Sequence, residues 1–337
     1  MTSLLDSFNR IHNYLRISVT DRCNFRCSYC LPAISDSKKQ AGMQANGIDL
    51  KPRQEILTFD EIYRVAKILS ELGVNKVRLT GGEPLARKDV EALIIRISSL
   101  YNIKTIGMTT NGYYLAEKVE LLKNSGLTHL NISLDTLNPS RFKEITLRDG
   151  LDKVMKGIYS AIDAGFDALK LNVVVIRGFN DDEILNFVDF VQDKPIQVRF
   201  IEYMPFKNNS WREDGFVPYD EIKNNISDKY DLITSDGGKV SKDFSIDGFV
   251  GSVGFITSIS NHFCGTCNRL RMTADGHLKT CLFSNDEVSI MALLRNGASD
   301  DEIKSLILDT LKQKNEMHDG IAGLLKSENR SMLQIGG

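Results

Sequence analysis

Residues 14–30 read YLRISVTDRCNFRCSYC, and they combine the two features on which the rest of the prediction depends. The first seven residues are rich in β-branched and apolar side chains, as in a strand that is buried on both faces. Three cysteines, Cys23, Cys27 and Cys30, follow directly after this run. The stretch therefore predicts a buried strand that ends in a loop of thiolates, which are ligands of soft metals.

Five more strand-like runs follow, and helix-like stretches separate them. The runs are 76–80, 105–109, 129–135, 168–176 and 198–204, and the helical stretches lie near 59–72, 88–100, 115–125, 150–164 and 181–192. Parallel strands need helical crossovers, so six repeats predict an α/β fold with a parallel sheet. The pattern fits an open sheet or an incomplete barrel. In both, ligands bind at the carboxyl ends of the strands.

The regular alternation ends near residue 205, which divides the chain into a strand–helix part, 1–204, and a C-terminal part, 205–337. Residues 236–262 predict a hairpin with Asp-Gly turns. A second cysteine triplet follows, then two predicted helices and the terminal pair Gly336-Gly337. Within the first part, Thr58 and Glu61 form a predicted capping box, and residues 31–57 form a long polar loop.

The chain has 337 residues and a net charge of −2, so no general positive field attracts nucleic acid or anionic lipid. An anionic ligand then requires a local cluster of Arg and Lys. No apolar run approaches the roughly 20 residues of a membrane helix, and the first residues lack the apolar core of a signal peptide. We expect a cytoplasmic protein that binds neither membrane nor nucleic acid. In that compartment its six cysteines are not expected to form disulfides.

The first triplet has the spacing Cys23-x3-Cys27-x2-Cys30. A [4Fe–4S] cluster usually takes four cysteines, so three would leave one iron open to a small molecule. Structural zinc sites prefer four protein ligands, commonly from paired knuckles, and no partner knuckle is nearby. The triplet therefore favours an iron–sulfur cluster.

The second triplet has the spacing Cys264-x2-Cys267-x13-Cys281. A zinc site of three cysteines with His262 or His277 fits this pattern on chemistry alone. Two arginines follow at alternate positions, and alternate residues of an extended segment point the same way. Two guanidinium groups on one side suit a polyanion, so they favour a ligand-binding role for Arg269 and Arg271, although surface arginines are common.

The first triplet, with Tyr29 inside it, resembles the radical S-adenosylmethionine superfamily. The resemblance implies that the open iron binds the amine and carboxylate of S-adenosylmethionine, whose cleavage yields a 5′-deoxyadenosyl radical. It also implies that the Gly-Gly-Glu-Pro stretch 81–84 meets the methionine amino group. Glycine suits that place, because bare backbone approaches a ligand closely.

Over nearly the whole chain the sequence resembles the GTP 3′,8-cyclases, which perform the first step of molybdenum cofactor biosynthesis. The resemblance is carried by RISVTDRCNFRC at 16–27, RLTGGEPL at 78–85, CGTCNRLR at 264–271 and the Gly-Gly terminus. It implies an incomplete (β/α)6-type TIM barrel with a C-terminal extension that carries a second [4Fe–4S] cluster. The Gly-Gly end is expected to thread toward the site. Asn9 stands where the family usually has glycine.

The resemblance also assigns roles to individual positions. Substrate GTP would be bound by Arg16, Arg78, Thr109, Lys170, Arg269 and Arg271, and S-adenosylmethionine by Tyr29, Gly82, Ser133 and Met204. The two clusters would be bound by the two triplets, with the open iron of the second cluster on the guanine base. Arg16, Arg269 and Arg271 are the predicted catalytic residues.

The implied reaction removes the ribose 3′ hydrogen of GTP, joins that carbon to guanine C8 and, after reduction, gives 3′,8-cyclo-7,8-dihydro-GTP. It implies an external electron donor and cyclic pyranopterin monophosphate synthase as the next pathway enzyme, with a homodimer as a further expectation. Two alternatives remain: a radical peptide-modifying enzyme with an auxiliary cluster, and a non-catalytic zinc-binding module. The paired arginines and the Gly-Gly end argue against the first. The strand–helix repeats, with chemically active residues at strand ends, argue against the second.

Overall fold

The structure is a computed structural model that describes residues 4–30, 50–206, 209, 211–235 and 240–336. Six parallel strands form its centre, each at a place where the sequence predicts a strand. Neighbouring strands pair in chain order, as expected for strand–helix repeats. Their bounds are β1 Tyr14–Ser18, β2 Lys76–Thr80, β3 Thr105–Thr110, β4 His129–Ser133, β5 Ala168–Val175 and β6 Gln197–Glu202.

Helices connect these strands, and the five predicted ones are present. The helices are α1 Phe59–Glu71, α2 Val90–Ser98, α3 Val119–Asn124, α4 Pro139–Thr146, α5 Leu151–Ala164 and α6 Ile184–Phe190. The predicted capping box of Thr58 and Glu61 opens α1. Helix α4 was missed, although the Asn138 side chain accepts hydrogen bonds from two backbone N–H groups of its first turn and Pro139 begins it.

The sheet continues past both ends of the six-stranded centre, which the sequence did not predict. Parallel pairing joins β9 Ser252–Ile256 to β6, and β10 Arg269–Met272 to β1. Antiparallel strands then extend each edge, so that the described residues form a mixed sheet of twelve strands. The outer strands are β7 Leu232–Thr234, β8 Lys242–Ile246, β11 His277–Lys279 and β12 Val288–Ser289. Of these, β7, β11 and β12 have three residues or fewer and are too short for their periodicity to stand out in the sequence.

The predicted hairpin is present as β8 and β9, which turn at Asp247-Gly248 with a Gly248 φ of 74°. The other expected Asp-Gly turn, at 236–237, lies outside the described residues, as do residues 31–49 of the predicted polar loop and Gly337. The prediction of two helices after the second triplet was wrong. The described residues contain four there, and three of these have seven residues or fewer. The C-terminal helices are α7 Tyr219–Ser227, α8 Ile290–Arg295, α9 Asp300–Lys312, α10 Gly320–Lys326 and α11 Met332–Ile335.

The central strands are buried on both faces, but the two faces differ in chemistry. Leu15, Ile17 and Leu79 are at most 1% exposed and belong to the core beneath the helices. The opposite face carries polar side chains, such as Arg78 and Asn131, which are also buried. This inner polar face lines the candidate site. Among the described residues no helix has the length and apolarity needed to cross a membrane.

Candidate functional site

One cavity of about 630 Å³ is lined by all the residues predicted individually to bind GTP, S-adenosylmethionine or a cluster. The strand ends of β1 to β6 supply one part of its wall, and the segment around the second triplet supplies another. The predicted residues that the structure places there are Arg16, Cys23, Cys27, Tyr29, Cys30, Arg78, Gly82, Thr109, Ser133, Lys170, Met204, Cys264, Cys267, Arg269, Arg271 and Cys281.

Three arginines lie side by side across neighbouring strands. Arg16 of β1 is the register partner of Arg78 on β2 and of Arg271 on β10. Two residues earlier, Tyr14 is opposite Lys76 and Arg269. Side chains two apart on a strand share a face, so both rows point into the cavity. Sequence reasoning missed Tyr14 and Lys76, although their spacing of two from Arg16 and Arg78 was the available signal.

Arg78 is held in place by two hydrogen bonds. Its Nε donates to the Tyr14 hydroxyl over 2.7 Å, and its Nη1 donates to the backbone oxygen of Met108, also over 2.7 Å. The guanidinium lies over Gly107 of β3, where a Cβ atom would come within 2.7 Å of Arg78 Nη2. The absence of a side chain at Gly107 therefore leaves space for the Arg78 guanidinium.

The cavity is strongly cationic. Seven lysine and arginine side chains line it, and Asp135 is the carboxylate among the described lining residues. Burial, together with the charges of Arg78 and Arg269, lowers the pKa of Arg16 to about 10. Burial also lowers the pKa of Arg271 well below its usual value, with Arg16 and Arg269 adding to the shift. Crowded buried cations of this kind are stabilised by a bound anion.

The same positive field also lowers the pKa of Tyr14, and for a phenol this favours the charged form. Burial raises its pKa, but the positive charges of Arg78, Arg16 and Lys76 outweigh burial and lower it to about 7. The phenol is thus an internal partner for the arginine row. It can become negatively charged near neutral pH, when no other anion is bound.

A second cationic pair lies on β5 and β6. Lys170 Nζ donates to the side-chain oxygen of Gln197 over 2.6 Å, and Arg199 donates through Nε and Nη2 to Asn172 Oδ1. Burial and Arg199 lower the pKa of Lys170 to about 8, and burial and Arg78 lower that of Arg199 to about 9. Arg199 was not predicted. Its signal was the alternation of β6, which places it opposite Asn172.

Three buried polar atoms in the cavity wall lack a hydrogen-bond partner within the described residues. They are Thr109 Oγ1, Arg269 Nε and Arg271 Nη1. A buried donor without a partner costs about 1–3 kcal/mol, so such atoms usually await a ligand or water. All three belong to residues predicted to bind GTP.

The first triplet lies in the loop after β1. Burial raises the pKa of Cys23 to about 11, and Glu83 adds to the rise. Burial also raises the pKa values of Cys27 and Cys30, helped by the neighbouring cysteines and Asp135. These are thiols that a bound metal has to deprotonate. Three free thiols facing one cavity fit the donor set of an iron–sulfur cluster.

The Gly-Gly-Glu-Pro turn packs directly on this loop. Gly82 N–H donates to Thr20 O, and a Cβ on Gly82 would overlap the carbonyl group of Arg22. Glycine is therefore needed at position 82 because the backbone of Arg22 packs directly against it. Glu83 accepts hydrogen bonds from Thr110 Oγ1, Asn111 N and Leu85 N at 2.7–2.9 Å. The bonds from Thr110 and Asn111 hold the 81–84 turn against the end of β3.

The other residues predicted to bind S-adenosylmethionine lie along the same side. The Tyr29 hydroxyl donates to Asp135 Oδ2 over 2.7 Å, and Asp135 also accepts from Val174 N. Burial raises the pKa of Asp135 to about 6. Ser133 ends β4, and Met204 follows β6 with its side chain at the cavity.

The second triplet has different surroundings. Cys264 lies in a short 3-10 turn, Cys264–Thr266, and β10 begins two residues after Cys267. Burial raises the pKa of Cys267, but Arg269 and Lys314 outweigh burial and lower it to about 7. This thiol is surrounded by cations, whereas those of the first triplet have acidic neighbours.

His277 and His262, the candidate zinc ligands of the alternative prediction, contact other side chains. His277 Nδ1 lies 3.3 Å from Asp275 Oδ1, and the His262 ring packs against that of His318. Within the described ranges no three Cys, His, Asp or Glu side chains are grouped as ligands of a single metal ion.

The C-terminal residues reach the cavity from the side of β1 and β2. Met332 and Leu333 line it. Gly336 has a φ of 82°, and a Cβ there would lie 2.5 Å from Ser18 Cβ and 3.0 Å from Thr80 Oγ1. The described part of the tail thus lies where a side chain at position 336 would clash with β1 and β2.

Two family models match the chain. The model of the radical SAM superfamily matches residues 17–191, and the model named Molybdenum Cofactor Synthesis C matches residues 196–320. The fold is also similar to that of SuiB from Streptococcus suis in its crystal structure bound to S-adenosylmethionine, with a TM-score of 0.60 and 16% identity over 89% of this chain and 69% of that one.

Relatives of known name match almost the full chain. "GTP 3′,8-cyclase, mitochondrial" of Arabidopsis thaliana is 46% identical over 99% of this chain and 83% of the relative. "GTP 3′,8-cyclase" of Syntrophomonas wolfei is 44% identical over 99% of this chain and 100% of the relative. "Molybdenum cofactor biosynthesis protein 1" of Mus musculus is 45% identical, and there the chain spans 51% of the relative. The chain belongs to the GTP 3′,8-cyclase family of the radical S-adenosylmethionine superfamily.

Proposed function

We propose that this chain converts GTP to 3′,8-cyclo-7,8-dihydro-GTP, the first step of molybdenum cofactor biosynthesis. The observation that carries the proposal is the composition of one cavity wall. Two triplets of free thiols and seven cationic side chains face the same space of about 630 Å³. Thiols suit iron–sulfur clusters, and crowded buried cations suit a triphosphate.

Cys23, Cys27 and Cys30 would hold one [4Fe–4S] cluster, and Cys264, Cys267 and Cys281 a second. When bound, the first cluster would supply the electron for cleavage of S-adenosylmethionine, and the second would supply an iron site for the guanine base. Tyr29, Gly82, Ser133 and Met204 would bind S-adenosylmethionine, since they line the cavity on the side of the first triplet. The Tyr29 hydroxyl, fixed by Asp135, limits the space there.

GTP would lie along the arginine row of β10, β1 and β2, with Lys170 of β5 as a further cation. Each charge-assisted hydrogen bond contributes roughly 1.5–3 kcal/mol, so four cationic side chains supply about 6–12 kcal/mol before binding costs. Micromolar affinity needs about 8 kcal/mol. Local cations are therefore sufficient for a protein whose net charge is −2.

Arg16, Arg269 and Arg271 would act at the reacting end of the substrate. Arg271 Nη1 and Arg269 Nε are buried N–H donors without partners in the described residues, so they are available to the substrate. We assign to these groups the orientation of the base and the delivery of a proton to the reduced product. Thr109 Oγ1 would bind the substrate as a third donor.

The architecture proposed for this function is a sheet curved into an incomplete barrel around the cavity. Its radical-forming part would span 1–204, and its auxiliary-cluster and substrate-binding part would span 205–337. An external one-electron donor, a following synthase that takes the cyclised nucleotide and a homodimer complete the proposal. Free thiols at six positions suit a reducing compartment such as the cytoplasm.

Anaerobic assay of the reconstituted protein with S-adenosylmethionine, dithionite and GTP tests the function. We expect about eight irons per chain and 5′-deoxyadenosine that forms in proportion to the cyclised nucleotide only when GTP is present. ATP serves as the matched control, because it carries the same triphosphate on another base. Cleavage that ignores GTP would retain the radical chemistry but reject the substrate. A peptide-dependent activity would favour the alternative of a peptide-modifying enzyme.

A further inference from the structure

A buried lysine lies against one thiol of the second triplet. Lys314 follows α9 and is 5% exposed. Its Nζ lies 3.5 Å from Cys267 Sγ, within hydrogen-bond range for sulfur, and 2.8 Å from His12 Nε2. Burial of an ammonium group is expensive unless the charge is paired, so this position requires a nearby negative charge or strong acceptors.

The histidine beside it acts as an acceptor. His12 is fully buried, and its Nδ1 lies 3.0 Å from the backbone oxygen of Arg10. A carbonyl oxygen can only accept, which places the ring proton on Nδ1 and leaves a lone pair on Nε2. An ammonium group can only donate, so Lys314 gives one N–H to His12 Nε2. Both contacts fit a neutral His12 ring with its proton on Nδ1. Its Nε2 then accepts a hydrogen bond from Lys314 and so fixes the position of the ammonium group.

A small N-terminal hairpin supplies this histidine. Leu5 and Ile11 form an isolated antiparallel bridge, and His12 N–H donates to Leu4 O over 2.8 Å. Asn9 turns the hairpin with a φ of 60°, a left-handed conformation that asparagine tolerates better than most residues.

The same hairpin is fastened to the second triplet. Arg10 Nη1 donates to Cys264 O over 2.9 Å and to Glu316 O over 2.6 Å, while its Nε pairs with Asp6. The cation of Arg10 is thus neutralised by a carboxylate. Lys314 has sulfur and a neutral ring as its hydrogen-bond partners, which leaves its charge directed at Cys267.

We propose that Lys314, aimed by His12, is a positioning and electrostatic residue that donates a hydrogen bond to Cys267 Sγ and makes the second cluster easier to reduce. The inference rests on the proposed function, since it assumes a cluster on Cys264, Cys267 and Cys281. One-electron reduction by an external low-potential donor adds one negative charge there. The ammonium group of Lys314 would stabilise that charge, because hydrogen bonds and net charge at ligand sulfurs tune the reduction potential.

The test uses the full chain with Cys23, Cys27 and Cys30 replaced by alanine, so that one cluster remains to be titrated. In this background, Lys314→Met removes the charge with little change in volume, and Lys314→Arg retains it. Lys312→Met is the matched control, because Lys312 is 67% exposed and pairs only with Asp309 among described residues. Reduction is followed by electron paramagnetic resonance in a potentiometric titration.

We expect Lys314→Met to make reduction at least about tenfold less favourable, which is about 59 mV lower for a one-electron couple. The reduction potential of Lys314→Arg should stay nearer to that of the parent, and the potential of Lys312→Met should equal that of the parent. His12→Phe removes the acceptor that aims Lys314 and should shift the potential in the same direction as Lys314→Met. A potential unchanged in Lys314→Met with intact iron would overturn the proposal.

A measurement on the chain with unaltered Lys314 covers the case in which the variants lose iron. The parent is labelled with ¹⁵N-lysine and reduced, and pulsed electron paramagnetic resonance detects nitrogen coupled to the cluster. A ¹⁵N coupling supports the hydrogen bond, and its absence rejects it. Four irons in the parent establish the second cluster independently of Lys314, whereas a parent without iron rejects that part of the proposed function instead.

Discussion

Arg16 and Arg271 are register partners on the neighbouring parallel strands β1 and β10, although β10 lies between Cys267 and Cys281 of the second triplet and β1 precedes the first triplet. This pairing brings the two triplets to one cavity. It also completes the arginine row, since Arg78 lies on the other side of Arg16. The substrate-binding wall is therefore made by strands from opposite ends of the chain.

The arginine row should determine GTP affinity. Replacement of Arg78 by glutamine removes one charge and the bonds to Tyr14 and Met108, worth roughly 1.5–3 kcal/mol for a charge-assisted bond. We expect GTP binding to weaken roughly 10- to 100-fold, with S-adenosylmethionine binding unchanged. Equilibrium binding of both ligands measures this. Arg96→Gln on α2 is the control, because Arg96 pairs at the surface with Asp60. Equal losses for both ligands would contradict a triphosphate role.

Tyr14 should make GTP affinity depend on pH. Its pKa is lowered from 10 to about 7, so the phenol becomes a phenolate as pH rises above 7. The phenolate cancels one positive charge of the arginine row and competes with the triphosphate, so affinity should fall, by at most about tenfold per pH unit. Tyr14→Phe cannot ionise.

The test compares the dissociation constants for GTP of the unaltered chain and of Tyr14→Phe between about pH 6.5 and 8.5. The decline between pH 7 and 8.5 should be shallower in Tyr14→Phe than in the unaltered chain. Lys170 has a pKa of about 8, so its deprotonation also weakens GTP binding as pH rises. This contribution is the same in both proteins and cancels in the comparison. Parallel curves would show that Tyr14 does not titrate in this range.

The position of Gly336 should be sensitive to a single methyl group. Gly336→Ala places a Cβ 2.5 Å from Ser18 Cβ and strains a φ of 82°, which should displace the tail from the cavity. We expect at least about a tenfold loss of GTP-dependent 5′-deoxyadenosine, since a clash and left-handed strain together exceed about 1–2 kcal/mol.

A second glycine provides the control for backbone strain. Gly297 has a φ of 77° but has nothing within 4 Å of a built Cβ, so Gly297→Ala adds strain without a clash. If both variants lose activity equally, the effect is a loss of stability and not a clash at the cavity. Iron content of both proteins is measured alongside.

Arg330 should be important for stability at neutral pH. Its guanidinium donates to both oxygens of Asp275 at 2.7–2.9 Å and also bonds Glu287, just before the tail. Breaking a buried pair costs about 3–5 kcal/mol, and we expect the lower end for Arg330→Gln because Arg330 is 21% exposed. Arg141→Gln is the control, since Arg141 is paired with the exposed Asp182 as well as Glu183.

The pH dependence of this effect follows from Asp275. Burial raises its pKa, but hydrogen bonds from His277, Thr273 and Arg330 outweigh burial and lower it below 3.8. A lowered carboxyl pKa stabilises the fold above the unfolded value and loses that contribution as pH falls. Urea unfolding should therefore show a gap between Arg330→Gln and the unaltered chain that is full above about pH 5 and narrows below pH 4. A gap independent of pH would assign the effect to packing.

Local sequence predicted the six central strands, five of their helices and the two triplets. Each of these depends on residues close together in sequence: the apolar runs of β1 to β6, the capping box of Thr58 and Glu61, and cysteines three to fourteen positions apart. The spacing of Arg269 and Arg271 likewise predicted two side chains on one face of a strand. Near neighbours in sequence are constrained by backbone geometry alone, so their relationship is visible without the fold.

Tertiary structure decided which distant residues meet. The sequence contained Arg16, Arg78 and Arg271 as separate positions, but only the pairing of β10 with β1 aligned them. Tyr14 and Lys76 became site residues through that same register, and His12 reached Lys314 only because the N-terminal hairpin packs beside the second triplet. Register between distant strands results from burying the whole core at once, so no local pattern encodes it.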